Sequence, residues 1–390
     1  MIDRERLRTI FQQLYKREPR LFRAPGRVNL IGEHTDYNEG FVLPMAIDRE
    51  TVVAGAARDD SLVRVHAFDV EESAKFDLNA PAGERVRGHW LDYVEGVARV
   101  LQERGARLRG CDLAIHSSVP AGAGLSSSAA LEVSVGLALL SLSGLEIDLT
   151  ALALAAQTAE HVYAGIRCGI MDQFTSALGH KGHALLIDCR SLETEYLLLE
   201  TDETAVVICD TRVKHELAAS EYNTRRAECE RAVELLRQAL PGLRALRDVS
   251  AADFLRHEEL LPEPIRRRCR HVVTENERTL AAAKALRAGE MRLLGRLMYL
   301  SHRSLKDDFE VSCAELDLLV EIASGFAGTV GARMTGGGFG GCTVNLVRRE
   351  SLAEFQRIIV RKYAKAVSYE PAIYLSEPAD GAQEIISERD

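Results

Sequence analysis

The chain has 390 residues, of which 46% are hydrophobic and 27% are charged, and its formal net charge at pH 7 is −9. This length predicts two domains rather than one hydrophobic core. The acidic balance excludes nucleic acid as the main partner, because recognition of a phosphate backbone needs a basic surface. No apolar run is long enough to predict a membrane span, and residues 1–19 carry too many charges for a signal peptide. The eight cysteines are scattered without a C-x-x-C pair, which is typical of reduced cytoplasmic proteins.

Helices and strands are mixed along the chain without strict β-α alternation, which predicts an α+β fold with mixed or antiparallel sheets. In chain order the predicted elements are a helix over 3–17, β-rich runs at Val28–Ile31, Phe41–Ile47 and Thr51–Ala54, a helix at His89–Glu103, a strand at Cys111–His116, helices at Ala129–Leu142 and Ala151–Tyr163, strands at His183–Asp188 and Ala205–Asp210, a mainly helical region over 216–325, a strand at Cys342–Leu346, a helix at Ser351–Val367 and a strand at Ala372–Leu375. A weakly marked boundary near residues 190–205 predicts an N-terminal domain of residues 1–195 and a C-terminal domain of residues 196–390.

A loop of small residues lies between the predicted strand Cys111–His116 and the predicted helix Ala129–Leu142. It contains Gly122, Ala123, Gly124, Leu125, Ser126, Ser127 and Ser128. A strand, a glycine-rich loop and a helix start together form a geometry that holds phosphate, since converging N–H groups and the helix dipole favour an anion. The three serines are suited to cap the helix or to reach a metal on the phosphates. The loop lacks the lysine of a Walker A sequence, so both a nucleotide site and a simple helix cap remain open.

A second polar segment follows the apolar run Val28–Ile31 and contains Glu33, His34, Thr35 and Asp36. Closely spaced donors and acceptors of this kind suit a ligand rich in hydroxyl groups. We therefore favour a binding site over a plain hairpin tip. The spacing of the two carboxylates around one histidine also leaves a metal site open.

Two further segments carry candidate chemistry. Asp172 lies among apolar neighbours after a predicted helix, so it is either a base or a helix cap. The glycines Gly336, Gly338 and Gly341 match a dinucleotide fingerprint, but a β-rich run follows where that fingerprint requires a helix. A close approach between this backbone and a ligand or another loop explains these glycines better.

Together these glycine-bearing segments resemble the galactokinase family of the GHMP small-molecule kinase superfamily, over nearly the whole chain. The segment from Gly26 to Pro44 narrows the resemblance to galactokinases. It implies a two-domain GHMP kinase fold with the active site in the cleft between the domains. It also implies an enzyme that uses ATP and Mg²⁺ to phosphorylate the anomeric hydroxyl of D-galactose, giving galactose 1-phosphate.

The resemblance also implies a role for particular residues. Residues 122–128 look like the ATP phosphate loop, although the family often has a third glycine where this chain has Ala123. Ser128 and Glu160 look like the magnesium ligands. The residues that look like sugar partners are Glu33, His34, Thr35, Asp36, Gly169, Asp172 and Tyr222. Asp172 looks like the catalytic base and Arg27 like its charged partner, because an adjacent guanidinium favours an ionised carboxylate.

Two other hypotheses remain open at the level of sequence. One is a kinase of a related sugar, such as N-acetylgalactosamine or arabinose. The other is a non-catalytic sensor that binds galactose and ATP, although such a sensor need not keep Ser128, Glu160, Arg27 and Asp172. No long heptad pattern is present, so we expect a cytoplasmic monomer that binds small molecules and neither nucleic acid nor membrane.

Overall fold

The computed structural model describes residues 3–81, 89–199, 202–213 and 218–386. Within these ranges there are twelve strands: β1 (Arg20–Ile31), β2 (Phe41–Ala57), β3 (Leu62–Ala67), β4 (Glu72–Asp77), β5 (Cys111–Ser117), β6 (His183–Asp188), β7 (Thr194–Leu198), β8 (Thr204–Asp210), β9 (Thr329–Thr335), β10 (Cys342–Arg348), β11 (Ala372–Ser376) and β12 (Gln383–Ile385). The α-helices of the same ranges are α1 (Arg4–Tyr15), α2 (Trp90–Glu103), α3 (Ser127–Leu142), α4 (Leu149–Ala159), α5 (Met171–Leu178), α6 (Ala218–Leu236), α7 (Ala251–His257), α8 (Ile265–Arg287), α9 (Met291–Ser304), α10 (Ala314–Ser324) and α11 (Leu352–Val367).

Two sheets organise these elements. The larger sheet has the strand order β12-β1-β2-β5-β3-β4, with β6 paired to β2 and β7 paired to β6. All its pairs are antiparallel except β3 with β5. The smaller sheet is antiparallel, with the order β11-β8-β10-β9. The predicted α+β class with mixed and antiparallel sheets is therefore confirmed.

The larger sheet draws on both ends of the chain. Strand β12 pairs with β1, where Gln383 lies opposite Arg23. Strand β7 begins at Thr194, beside the predicted division between residues 195 and 196. The predicted division splits the chain once, at residue 195. The larger sheet, however, also contains β12 from the end of the chain. The domain limits themselves stay a prediction.

Several predicted elements differ from the structure in their bounds; β1, for example, begins at Arg20 instead of Val28. The runs Phe41–Ile47 and Thr51–Ala54 belong to one strand, β2, because the residues between them keep an extended backbone. The predicted helix Ala151–Tyr163 ends as an α-helix at Ala159 and continues as a π-helical turn, Glu160–Ala164. Such turns insert an extra residue and often occur at functional sites. Among the described residues, no helix is long and apolar enough to cross a bilayer.

A β-bulge in β1 brings this strand against the 122–128 loop. The register between β1 and β2 shifts between Pro25 and Arg27, so Gly26 lies in the bulge. A β-carbon on Gly26 would lie 2.5 Å from the Leu125 carbonyl oxygen, and the Arg27 N–H donates to that same oxygen at 3.1 Å. Glycine is therefore required for this close contact.

Helix α9 packs directly on β9 through a pair of glycines. A β-carbon on Gly295 would overlap the Val330 carbonyl oxygen, and one on Gly331 would lie 2.5 Å from the Gly295 Cα. The two backbones are therefore in contact. Strand β9 leads directly into residues 336–341, which we call the third glycine segment.

We expect Gly295→Ala to lower the free energy of unfolding by ~1–3 kcal/mol, because a methyl group has no space between α9 and β9. The matched control is Gly325→Ala, where the nearest atom would lie 3.5 Å from the new carbon. That control should change stability by less than about 0.5 kcal/mol. The urea concentration at the midpoint of unfolding is measured for both variants. Equal midpoints would contradict the close packing of α9 on β9.

Candidate active site

A cavity of about 230 Å³ lies where the end of β1, the loop before α3, the turn before α5 and the loop after β9 meet. It is lined by Arg27, Glu33, His34, Asp36, Gly122, Gly124, Ser126, Ser127, Ser128, Glu160, Ile166, Cys168, Gly169, Met171, Asp172, Tyr222, Gly336 and Gly337. Arg27 lies on β1 of the larger sheet, and Gly336 and Gly337 follow β9 of the smaller sheet, so parts of the chain next to both sheets meet at this cavity, as expected for a cleft between two domains. Four lining side chains are carboxylates and one is a guanidinium.

Arg27 and Asp172 form a two-pronged ion pair at one wall. The Arg27 Nε donates to Asp172 Oδ1 and its Nη2 donates to Asp172 Oδ2, each at 2.8 Å. Its Nη1 donates to the Gly124 carbonyl oxygen at 2.7 Å. The Arg27 side chain is only 5% exposed. Burial lowers the pKa of this guanidinium, but the negative charges of Asp172 and Glu33 outweigh that effect and raise it overall.

Ser126 is the third partner of this pair. Its hydroxyl donates to Asp172 Oδ2 at 2.6 Å. Ser126 occupies the N-cap position of α3 with φ 59°, but its side chain makes no capping hydrogen bond. The interpretation of Ser126 as a helix cap is therefore wrong, because its hydroxyl points to the carboxylate instead. The first turn of α3 is left without a side-chain cap and is suited to receive an anion.

Left-handed backbone shapes the loop before α3. Gly122 and Gly124 both have φ 73°, a conformation that favours glycine. The third glycine segment packs behind them: a β-carbon on Gly336 would lie 2.7 Å from the Gly124 carbonyl oxygen, and one on Gly341 would lie 2.8 Å from that of Ala123. The predicted close approach between two backbones is confirmed, and the partner of the third glycine segment is the 122–128 loop.

Glu160 faces the cavity from the π-helical turn. Its carboxylate accepts hydrogen bonds from Gln173 Nε2 at 2.6 Å and from Cys168 Sγ at 3.3 Å, and Ser128 is a further hydrogen-bond partner. Burial and the charge of Asp172 raise the pKa of Glu160 to about 7, although these hydrogen bonds act in the opposite direction. Ser128 and Glu160, predicted as a pair, are thus neighbours.

Glu132 lies behind this pair on α3, one turn beyond Ser128. It is fully buried and accepts a hydrogen bond from Gln173 Nε2 at 3.1 Å. Burial and the charge of Glu160 raise its pKa well above the ordinary value. In the sequence, Glu132 stands inside the apolar run of residues 129–142 and was not among the predicted site residues. A carboxylate inside a buried helix was the signal that could have revealed this network.

Asp36 and Gly169 are in contact at another wall. A β-carbon on Gly169 would overlap the Asp36 carboxylate, so only glycine fits there. The Asp36 Oδ1 accepts a hydrogen bond from the Tyr37 N–H at 2.9 Å. Burial, followed by the charge of Asp172, raises the pKa of Asp36 to about 7. The backbone of Gly169 also bonds the hydroxyl of Tyr222.

His34 is buried between aromatic rings, with centroids 5.3 Å from Tyr222 and 4.7 Å from Phe309. Its Nε2 lies 3.2 Å from the Gly337 carbonyl oxygen, so Nε2 donates and Nδ1 accepts from the Tyr37 hydroxyl at 2.9 Å. Burial lowers the pKa of His34 to about 3, so the ring is neutral. Both ring nitrogens therefore have protein partners.

Three predicted site residues lie outside the cavity wall. The Thr35 hydroxyl lies 2.8 Å from the Gly32 carbonyl oxygen and 2.7 Å from that of Phe41, inside the turn. Ala123 and Leu125 are buried in the apolar core beneath the loop. No three His, Cys, Asp or Glu side chains of the described ranges converge as metal ligands, so a metal site at Glu33, His34 and Asp36 has no support.

A second cavity of about 560 Å³ adjoins the first. The two share Ser127 and Ser128, and the second extends between aromatic and apolar side chains that include Trp90, Tyr93 and Leu131. The 122–128 loop thus separates a polar cavity from a more apolar one.

Three sequence profiles match the chain: the galactokinase galactose-binding signature over residues 9–57, the GHMP kinase N-terminal domain over 92–180 and the GHMP kinase C-terminal domain over 282–365. The galactokinase of Chloroflexus aggregans is 51% identical over 365 residues, covering 93% of each chain. That of Roseiflexus sp. is 49% identical over 387 residues, covering 99% of this chain and 98% of the relative.

Solved structures agree with these matches. Lactococcus lactis galactokinase complexed with galactose superposes with a TM-score of 0.93 at 35% identity, covering 98% of this chain and 100% of that one. Mevalonate kinase of Methanococcus jannaschii shares the fold, with a TM-score of 0.64 at 18% identity over 93% of this chain and 99% of that one. By sequence and by fold, this chain belongs to the galactokinase family of GHMP kinases.

Proposed function

We propose that the chain transfers the γ-phosphoryl group of ATP to the anomeric hydroxyl of D-galactose in the 230 Å³ cavity, with Asp172 as the base. The observation that carries this assignment is the two-pronged Arg27–Asp172 ion pair between the 122–128 loop and the polar segment Glu33–Asp36. A carboxylate at this junction can meet both a sugar hydroxyl and the phosphoryl group that the hydroxyl attacks. The intact set of predicted residues also favours an enzyme over a sensor.

Asp172 is held in a geometry suited to accept a proton. Arg27 holds both carboxylate oxygens of Asp172 with its buried guanidinium. Asp172 also lies in the first turn of α5, where the helix dipole favours a negative charge. Ser126 and Arg27 together occupy Oδ2 and Arg27 also bonds Oδ1, so one acceptor position on Oδ1 is available to the sugar hydroxyl.

Phosphoryl transfer depends on positioning and on stabilising charge on the moving group. The loop has no lysine, so that stabilisation falls to the N–H groups of the loop, the first turn of α3 and the guanidinium of Arg27. Arg27 also donates to the Gly124 carbonyl oxygen, which ties its charge to the loop. The more apolar second cavity, bounded by Trp90 and Tyr93, is suited to the nucleotide base.

Ser128 and Glu160 are the residues we propose to hold Mg²⁺. A hydroxyl and a carboxylate are hard oxygen ligands, and Mg²⁺ in kinases takes one or two protein ligands together with phosphates and water. Burial raises the pKa of Glu160 to about 7 in the protein alone, and a bound cation would lower it and stabilise the ionised carboxylate. When bound there, Mg²⁺ would neutralise phosphate charge.

Sugar recognition is assigned to Glu33, His34, Asp36, Gly169 and Tyr222, which share the cavity wall. Thr35 is assigned instead to holding the turn, since its hydroxyl lies within bonding distance of two backbone carbonyls. We further propose that the enzyme is a cytoplasmic monomer. Its eight free thiols support a reducing compartment.

We expect Asp172→Asn to lower kcat by ~10²–10⁴-fold, because the amide accepts no proton. Galactose binding should persist, since Arg27 keeps an oxygen partner. Phosphorus NMR measures the anomeric phosphate formed from galactose, with N-acetylgalactosamine and arabinose as alternative acceptors, and galactose-induced thermal shifts measure binding. The control is Asp59→Asn, at a side chain that is 100% exposed. Turnover near that of the unaltered enzyme would exclude Asp172 as the base.

Ser128→Ala should raise the Mg²⁺ concentration that gives half-maximal rate, because one oxygen ligand is removed. The thermal shift caused by galactose should be retained. Ser134→Ala is the matched control, on the same helix, with its hydroxyl bonded to the Leu131 carbonyl oxygen. An unchanged Mg²⁺ dependence in the Ser128 variant would rule out this ligand.

Galactose affinity should depend on pH through Asp36. Its pKa is raised to about 7 by burial and by Asp172, and only the ionised carboxylate accepts a hydrogen bond from a sugar hydroxyl on both oxygens. The KM for galactose should be constant well above pH 7 and should rise as the pH falls through 7. Asp36→Asn should show a higher KM that varies less with pH, whereas parallel profiles for both proteins would refute the role.

A further inference from the structure

Arg333 is the largest side chain that is fully buried in the described part of the protein. It lies on β9, just before the third glycine segment, and its Nη1 donates to the Asn29 carbonyl oxygen of β1 at 3.0 Å. Its Nε and Nη2 have no hydrogen-bond partner among the described residues. A buried guanidinium is costly unless a nearby anion compensates for its lost hydration.

Glu33 supplies that anion. Its Oε1 lies 3.5 Å from Arg333 Nη2 and accepts a hydrogen bond from the Gly336 N–H at 2.7 Å. Within the described ranges, Glu33 is the only carboxylate whose oxygen lies within 4.0 Å of Arg333. The guanidinium and the Gly336 N–H thus hold one oxygen of Glu33 from behind, while the side chain also lines the cavity.

A second carboxylate completes the charge balance around Arg333. Glu275 on α8 is fully buried, accepts hydrogen bonds from the Gly32 N–H at 3.0 Å and from Ser301, and pairs with Arg278 at 2.7 Å. It therefore holds the backbone immediately before Glu33. Glu33 and Glu275, each with the arginine that pairs with it, therefore place two negative and two positive charges around this turn.

We propose that Arg333 is a positioning residue for galactose recognition: it acts through Glu33, holding that carboxylate in the orientation that receives a sugar hydroxyl. The inference rests on the proposed role of Glu33 as a sugar partner. A residue that merely joined β9 to β1 would need only the hydrogen bond to Asn29. The positive charge of Arg333 beside Glu33 contributes nothing to the contact between the two strands. It acts on a side chain that lines the cavity.

The test is a double-mutant cycle with Arg333→Met and Glu33→Gln. Each single variant should lower kcat/KM for galactose, by up to about 10²-fold, mainly through KM, because a displaced group misaligns the substrate. The KM for ATP should stay unchanged. The double variant should be no worse than Glu33→Gln alone, since Arg333 has no other route to the sugar. Arg333→Lys should restore part of the galactose affinity by keeping the charge.

Arg99→Met is the matched control. Arg99 is buried on α2 and bonds Glu95 and two backbone carbonyls, away from the sugar segment. It should lower the melting temperature without changing the KM for galactose, and galactose-induced thermal shifts provide a binding readout for every variant.

Additive losses in the double variant, or equal increases in the KM for galactose and for ATP, would show that Arg333 only supports the fold. An effect of Glu33→Gln with none of Arg333→Met would overturn this inference and leave the sugar role of Glu33 intact. If Glu33→Gln leaves galactose affinity unchanged, the proposed role of Glu33 is wrong and this inference is wrong with it.

Discussion

The ion pair between Arg27 and Asp172 joins three parts of the chain that are far apart in sequence. Arg27 comes from the bulge of β1, Asp172 from the first turn of α5, and both touch the 122–128 loop, through Gly124 and Ser126 respectively. A buried guanidinium without its carboxylate would be strongly destabilising, so neither partner can move alone. The same contact therefore orients the proposed base and fixes the loop against the strand that leads to the sugar segment.

Charge is the second constraint on this site. The cavity wall carries four carboxylates and one guanidinium, in a chain of net charge −9, yet the proposed phosphoryl donor is a nucleoside triphosphate. We propose that this electrostatic repulsion is offset locally, by the uncapped first turn of α3, by Arg27 and by a cation held at Ser128 and Glu160. The buried Glu132 and Gln173 hold Glu160 from behind, so the acidic residues form an ordered network rather than a diffuse field.

Glycines allow the loops to approach closely enough to enclose the cavity. Gly26 lies against the Leu125 carbonyl, Gly169 against the Asp36 carboxylate and Gly336 against the Gly124 carbonyl, each with no space for a β-carbon. At these positions glycine is needed mainly because the absence of a side chain permits close contact, and less because of its backbone flexibility. The segments around the cavity therefore pack closely, and neighbouring side chains line its wall.

The sequence by itself determined the element types, the phosphate-type loop and, through its family resemblance, most of the residues of the cavity wall. These follow from local patterns: apolar periodicity, glycine and proline positions, and a strand-loop-helix order that spans few residues. Only the tertiary structure decided that Ser126 bonds Asp172 instead of capping α3, that the Thr35 hydroxyl lies inside its turn, and that Glu132, Gln173 and Arg333 support the site. Those assignments depend on side-chain direction and on partners up to 303 residues apart, as for Gly336 and Glu33. Sequence spacing does not encode such contacts, because packing across the cleft between the two sheets selects them.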